Sequence, residues 1–156
     1  EMGGEPASLT AALSEARVIF ALAGVTEENR GLLSRERLEM IRSDAVFLLL
    51  SRAGLVDFDA LLDLVAAGRF RAATDVFPVE PAPADSRARQ VDGLLLSAHR
   101  AGASSSTFAT IGEMVVDDLG LILQGLPPQR LQAARAETVG RWVNPPGRTY
   151  APGTRL

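Results

Sequence analysis

Residues 45–70 read AVFLLLSRAGLVDFDALLDLVAAGRF, and this stretch decides the fold. The first six residues are apolar without interruption. A strand covered on both faces has this pattern, because neither face can show a polar side chain. A buried strand is therefore expected at residues 45–50. A polar break follows at residues 51–56. Asp57 then stands where a helix needs an N-cap, and Leu61, Leu62, Leu64 and Val65 form an apolar stripe. Gly68 is placed to end that helix in the left-handed conformation, which predicts a helix over residues 58–67. Residues 70–76 read as the next strand. Strand, break, helix and strand in this order make a parallel crossover unit.

The same alternation extends outward in both directions. Residues 8–15 read as a short helix with Leu9, Ala12 and Leu13 on one face. Residues 17–22 (RVIFAL) are rich in β-branched and aromatic side chains and predict a strand. A polar loop follows at residues 24–33. Ser34 is placed as an N-cap, although Arg37 stands where a Glu would complete a capping box, and the helix should run to about residue 41. Downstream, Pro78, Pro81 and Pro83 predict an extended loop. Residues 94–98 (LLLSA) predict a fourth strand. Ser104 and Ser106 offer caps for a long helix to about residue 124, with Phe108, Ile111, Val115, Leu119 and Ile122 expected inward. Beyond it, Pro127, Pro128, Pro145, Pro146 and Pro152 mark a tail, with one short helix near residues 129–138.

The expected class is α/β, a doubly wound parallel sheet with flanking helices and an irregular C-terminal tail. The expected division is a domain at residues 1–125 and a Pro-rich tail at residues 126–156. Sheets of this kind bind ligands outside the carboxyl ends of their strands. That directs attention to residues 23–26, 51–54, 75–81 and 98–102.

Composition narrows the function. The 156 residues suffice for one domain with a core, and 47% apolar with 22% charged residues is ordinary globular usage. A net charge of −3 supplies no basic field for a phosphate backbone, so nucleic acid is not an expected partner. With no cysteine, disulfides and thiolate metal sites are excluded, and no metal is expected. No apolar run approaches the ~18 residues of a membrane span. No basic stretch leads into an apolar one at the start, so neither membrane nor signal peptide is expected, and the expected location is cytoplasmic. The chain begins at Glu1 rather than Met, which suggests a cut or incomplete sequence.

Three ionisable residues stand just past three successive strand ends: Arg52, Glu80 and His99. His99 is the only histidine. A lone histidine is more often structural than catalytic, but this one directly follows an apolar strand and opens a loop into a helix. A carboxylate beside it would hold one tautomer, which suits proton exchange with a hydroxyl or carbonyl oxygen. Glu80 is the candidate partner; it could equally be a solvated acid between prolines. Arg52 could clamp a carboxylate with two parallel hydrogen bonds, or be a surface arginine in a turn. Asp75 ends an apolar strand, an awkward place for a charge without a ligand or partner; it could equally be a carboxylate that caps N–H groups. A carboxylate anchor, an acid–base histidine and an orienting glutamate together describe a site for oxidising a 2-hydroxy acid. No side chain can accept the hydride, so a nicotinamide is implied.

Four stretches in series resemble one family. Residues 26–32 (TEENRGL) resemble TPETRGL, and residues 50–57 (LSRAGLVD) resemble N-x-x-R-G-x-x-V-D. Residues 75–81 (DVFPVEP) resemble D-V-F-x-x-E-P, and residues 97–103 (SAHRAGA) resemble T-P-H-x-A-G. These are motifs of the D-isomer-specific 2-hydroxyacid dehydrogenases, in the family's order and spacing, over residues 8–125. The resemblance implies the C-terminal part of a Rossmann-type NAD(P)-binding domain. It further implies Arg52 as the substrate-carboxylate arginine, His99 as the acid–base residue and Glu80 as its partner. Asp75 would contact the nicotinamide carboxamide, with Ser51, Ala53 and Gly102 near the ring. NAD or NADP is the implied cofactor, a small 2-hydroxy or 2-oxo acid the implied substrate, and a homodimer the implied assembly of the complete protein.

Departures from the pattern are Ala98 for the usual proline, Ala53 for a glycine, Gly24 for a common proline, and Arg100 where an apolar residue is usual. Arg100 could bind an anionic group on a substrate. The family's G-x-G-x-x-G turn, its ribose-reading acid and its substrate domain are expected to lie upstream of residue 8; Gly3-Gly4 is no such turn, since no strand precedes it. The resemblance also implies that the long helix crosses towards that absent domain, leaving the surface it would cover exposed. Activity of this chain alone is not expected. The alternative is a non-catalytic binding or scaffold module derived from the same fold.

Overall fold

The apolar run at residues 45–50 is the second strand of a four-stranded parallel sheet. The structure, a computed structural model, describes residues 5–131. The Gly3-Gly4 pair and the tail helix, apart from its first residues, fall outside that range; residues 129–131 form bends rather than helix. In chain order the elements are α1 (Leu9–Glu15), β1 (Val18–Ala21), α2 (Arg35–Glu39), β2 (Val46–Leu49), α3 (Phe58–Ala66), β3 (Arg71–Thr74), β4 (Leu94–Leu96) and α4 (Ser105–Leu123). Short 3₁₀ turns lie at Ala53–Leu55 and Arg87–Gln90. The alternation is as the sequence predicts, and each strand is two or three residues shorter than expected.

Strand order in the sheet equals chain order, β1-β2-β3-β4, all parallel. Right-handed crossovers that always step the same way put their helices on the same face. That is the arrangement here. Leu13, Leu38, Leu61 and Val65 of the helices share one core cluster with Ala21, Phe47, Leu49 and Ala72 of the sheet. Phe47 and Phe70 meet edge-on inside it, their ring centres 6.3 Å apart. Within the described residues the other sheet face is open: Val18, Phe20 and Leu95 are 54, 58 and 71% exposed.

Local chemistry sets the helix ends. Asp57 accepts the Ala60 N–H at 3.0 Å and so caps α3, and Gly68, at φ +69°, closes it. Ser8 caps α1 through the Ala11 N–H. Ser34 occupies the cap position of α2 but its hydroxyl bonds the Glu36 carboxylate instead. In α1 only Leu13 is buried; Leu9 and Ala12, predicted beside it, are exposed.

The largest correction concerns α4. The spacing predicts Phe108, Ile111, Val115, Leu119 and Ile122 inward, and all five are exposed. Amphipathic spacing identifies an apolar face but not its partner, and no described element lies against this one. The fully buried residue of α4 is Asp118, whose carboxylate accepts the N–H groups of Gln129, Arg130 and Leu131 as the chain turns back.

Candidate active site

Parallel register builds the site. Leu49, Thr74 and Leu96 are paired across β2, β3 and β4. Three residues beyond Leu49 stands Arg52, and three beyond Leu96 stands His99, so strand pairing alone brings the two to one rim. The loop after β3 enters between them. Its start is tied down by the Asp75 N–H, which bonds Leu49 O at 3.1 Å, and by the Thr74 hydroxyl, which donates to Val76 O at 2.7 Å. The Phe77 ring packs edge-on against Phe58 at the start of α3. This anchors the segment that carries Glu80.

The three expected catalytic side chains are together. His99 Nδ1 lies 2.7 Å from Glu80 Oε2, and a carboxylate can only accept, so Nδ1 carries the proton. Glu80 Oε1 accepts the Phe77 N–H at 2.9 Å, which fixes the carboxylate. Arg52 Nη1 stands 3.5 Å from His99 Nε2 and bonds Ser51 O at 2.7 Å. Burial pushes Glu80 up; the His99 contact, the Phe77 N–H and the Arg52 charge pull it further down, so its carboxyl sits below the ordinary glutamate value. An ionised Glu80 keeps Nε2, not Nδ1, facing outward. A cavity of about 410 Å³ borders Glu80 and His99 and is lined by Phe77, Pro81, Leu96 and Ala98.

The residues expected near a cofactor are arranged unevenly. The Ser51 hydroxyl is buried without a hydrogen-bond partner, a polar atom whose need is unmet inside the chain. A Cβ added at Gly102 would meet nothing within 4 Å, which leaves open space beside the histidine loop. Ala53 is buried. The unmet Ser51 hydroxyl and the space at Gly102 are compatible with a group held beside the strand ends, whereas buried Ala53 offers it no surface. Asp75 differs: it is 1% exposed, and its two oxygens accept the N–H groups of Arg100 at 2.8 Å and Ala101 at 2.7 Å.

Two contributors are not evident from sequence. Phe77 stands there only as one position of a motif, and its contact with Phe58 depends on tertiary packing. Arg89 donates to the carbonyls of Pro83 and Ala82, shaping the loop beyond Glu80; in sequence it is one arginine in an irregular stretch.

Residues 1–101 match the model of the D-isomer specific 2-hydroxyacid dehydrogenase NAD binding domain. The chain belongs to that family. A glyoxylate reductase of Korarchaeum cryptofilum is 31% identical over 148 residues, covering 94% of this chain and 43% of the relative. Among solved structures, a phosphoglycerate oxidoreductase from Rhizobium etli is 46% identical with a TM-score of 0.76, over 84% of this chain and 40% of the other. A family member from Xanthobacter autotrophicus, solved with NADPH and MES, is 28% identical with a TM-score of 0.68, over 80% and 51%. The chain therefore spans about half or less of the proteins it resembles. The Rossmann-like α/β class and the NAD-binding character of the domain agree with the family match. Among the described residues, no helix is long and apolar enough to cross a membrane.

Proposed function

We propose that the protein carrying this chain interconverts a D-2-hydroxy acid and a 2-oxo acid with NAD or NADP, residues 1–125 contributing to the cofactor domain and residues 126–156 forming a tail. The observation that carries the reading is the chain of contacts from Glu80 through the His99 imidazole to Arg52. Arg52 binds the substrate carboxylate in a fork of two hydrogen bonds, placing the 2-hydroxyl against His99 Nε2. In oxidation Nε2 takes the hydroxyl proton, and Glu80 stabilises the imidazolium that results. In reduction the same proton returns to the carbonyl oxygen. The nicotinamide, when bound, accepts or donates the hydride at the substrate C2. Ser51 and Gly102 line its approach. A homodimer in the cytoplasm, without nucleic-acid or membrane partners, completes the proposal.

The substrate class follows from the relatives' names: glyoxylate carries one anionic group, phosphoglycerate two. Arg100, exposed in the His99 loop, is the residue that would favour the second. The test is oxidation of NADH and NADPH with glyoxylate and with 3-phosphohydroxypyruvate. His99→Ala should lower turnover by at least about 10²-fold with the fold intact, the usual worth of a general acid–base group. Unchanged turnover would sink the role of His99. Binding of a 2-oxo acid without any turnover would establish the non-catalytic module instead.

A further inference from the structure

His99 is the one described non-glycine residue with positive φ, at +53°. A side chain rarely adopts that left-handed conformation unless its surroundings hold it there. Before it, the Ser97 N–H bonds Thr74 O at 3.0 Å, the last rung of the β3–β4 pairing. After it, the two successive N–H groups of Arg100 and Ala101 both point at one carboxylate, that of Asp75. The histidine's backbone is thus clamped between a sheet rung and a buried anion.

We infer that Asp75 is a positioning residue for His99: by binding the backbone N–H groups of Arg100 and Ala101 it holds the left-handed turn that presents the imidazole to Glu80. The loop after β3 then grips the histidine twice, at its main chain through Asp75 and at its ring through Glu80. Asp75 suits this task because it is 1% exposed and its two oxygens accept these two neighbouring N–H groups. A buried carboxylate is tolerated only where such bonds satisfy it. A carboxylate is also the right group, since only an acceptor with two oxygens can take two neighbouring N–H groups without presenting a donor to either. An asparagine of the same shape must turn its NH₂ towards one of them.

The inference takes the acid–base role of His99 from the proposed function, and its test does not depend on turnover. His99 is the only histidine of the chain, so its ring nitrogens give unambiguous ¹⁵N resonances in the whole 156-residue chain. At mildly alkaline pH the unsubstituted chain should show the Nδ1–H tautomer. Asp75→Asn should keep its circular dichroism but shift the ring towards a mixture of tautomers, moving the resonances in the direction that Glu80→Gln moves them. A folded Asp75→Asn variant with an unaltered His99 tautomer overturns the inference. Should Asp75→Asn fail to fold, scalar couplings across the hydrogen bonds from the Arg100 and Ala101 amides to the Asp75 carboxyl carbon decide it in the unsubstituted chain. Their presence supports the clamp; their absence overturns it. A protein that reduces no 2-oxo acid would sink the dehydrogenase proposal while leaving both spectroscopic results readable.

Discussion

At the residue scale, Glu80 and Arg52 have separable jobs around one imidazole. In the proposed mechanism Glu80 keeps the tautomer and stabilises the imidazolium, and Arg52 holds the substrate carboxylate. Glu80→Gln should therefore lower kcat by about 10²-fold, in the range of lost acid–base assistance, with little change in KM, as steady-state rates would report. Arg52→Lys keeps the charge and loses the fork. One charged hydrogen bond is worth about 1.5–3 kcal/mol, so KM for the 2-oxo acid should rise roughly tenfold to a hundredfold. A rise in KM for the nicotinamide instead would show that Arg52 faces the cofactor. The pH dependence has a definite sign. The folded Glu80 carboxyl lies below its ordinary value, so its pairing with His99 is present above about pH 4.3 and is lost only as pH falls through the lower folded value.

At the element scale, capping and packing account for different helices. Asp57 carries the N-terminus of α3, the helix with the most buried side chains. Asp57→Ala should cost about 1 kcal/mol, read as a lower urea midpoint at unchanged slope. Helix α4 behaves in the opposite way. Phe108 and Ile111 are 61 and 47% exposed, so a Phe108→Ser, Ile111→Ser double variant should change the stability of this chain by no more than about 0.5 kcal/mol per site. A loss of several kcal/mol would mean that the apolar stripe is buried after all. Asp63 ties elements together from the surface: its carboxylate bonds both Arg35 of α2 and Arg87 of the second 3₁₀ turn.

At the scale of the whole molecule, one core carries the stability. Phe47 is fully buried between the sheet and its helices, and Phe47→Ala should cost about 3–5 kcal/mol. Acid is the other lever. Burial pushes Asp75 up, but the Ala101 and Arg100 N–H groups and the Ser97 hydroxyl pull it further down; Asp118 is likewise raised by burial and lowered more by the N–H groups of Gln129, Arg130 and Leu131. Both folded carboxyls lie below their ordinary value, so the unfolded chain binds more protons in acid. The stability they confer is complete above about pH 4 and is lost as pH falls through the folded values. Thermal melts from pH 7 downward should therefore hold steady at first and drop below about pH 4; a melt unchanged through that range would show that these two carboxylates contribute nothing.

How much of this is legible in the sequence follows from what each pattern encodes. Local periodicity is written along the chain, so the unbroken apolar run at residues 45–50, the capping Asp57 and the closing Gly68 are enough to specify a strand and a helix. The four motifs name the family, and strand-end logic singles out Arg52, Glu80 and His99, because parallel pairing carries residues at matching offsets to one rim. Three things depend on chain segments meeting in space. Helix α4 shows an apolar stripe in sequence, but only tertiary structure decides whether anything covers it, and here nothing described does. Asp75 reads as a ligand contact or as a cap for N–H groups, because a charge at a strand end needs a partner; that the capped groups are those of residues 100 and 101, one strand away, is decided by the fold. The left-handed turn at His99 is invisible in a sequence with no glycine there. It exists because sheet pairing on one side and a buried carboxylate on the other leave that backbone no easier path.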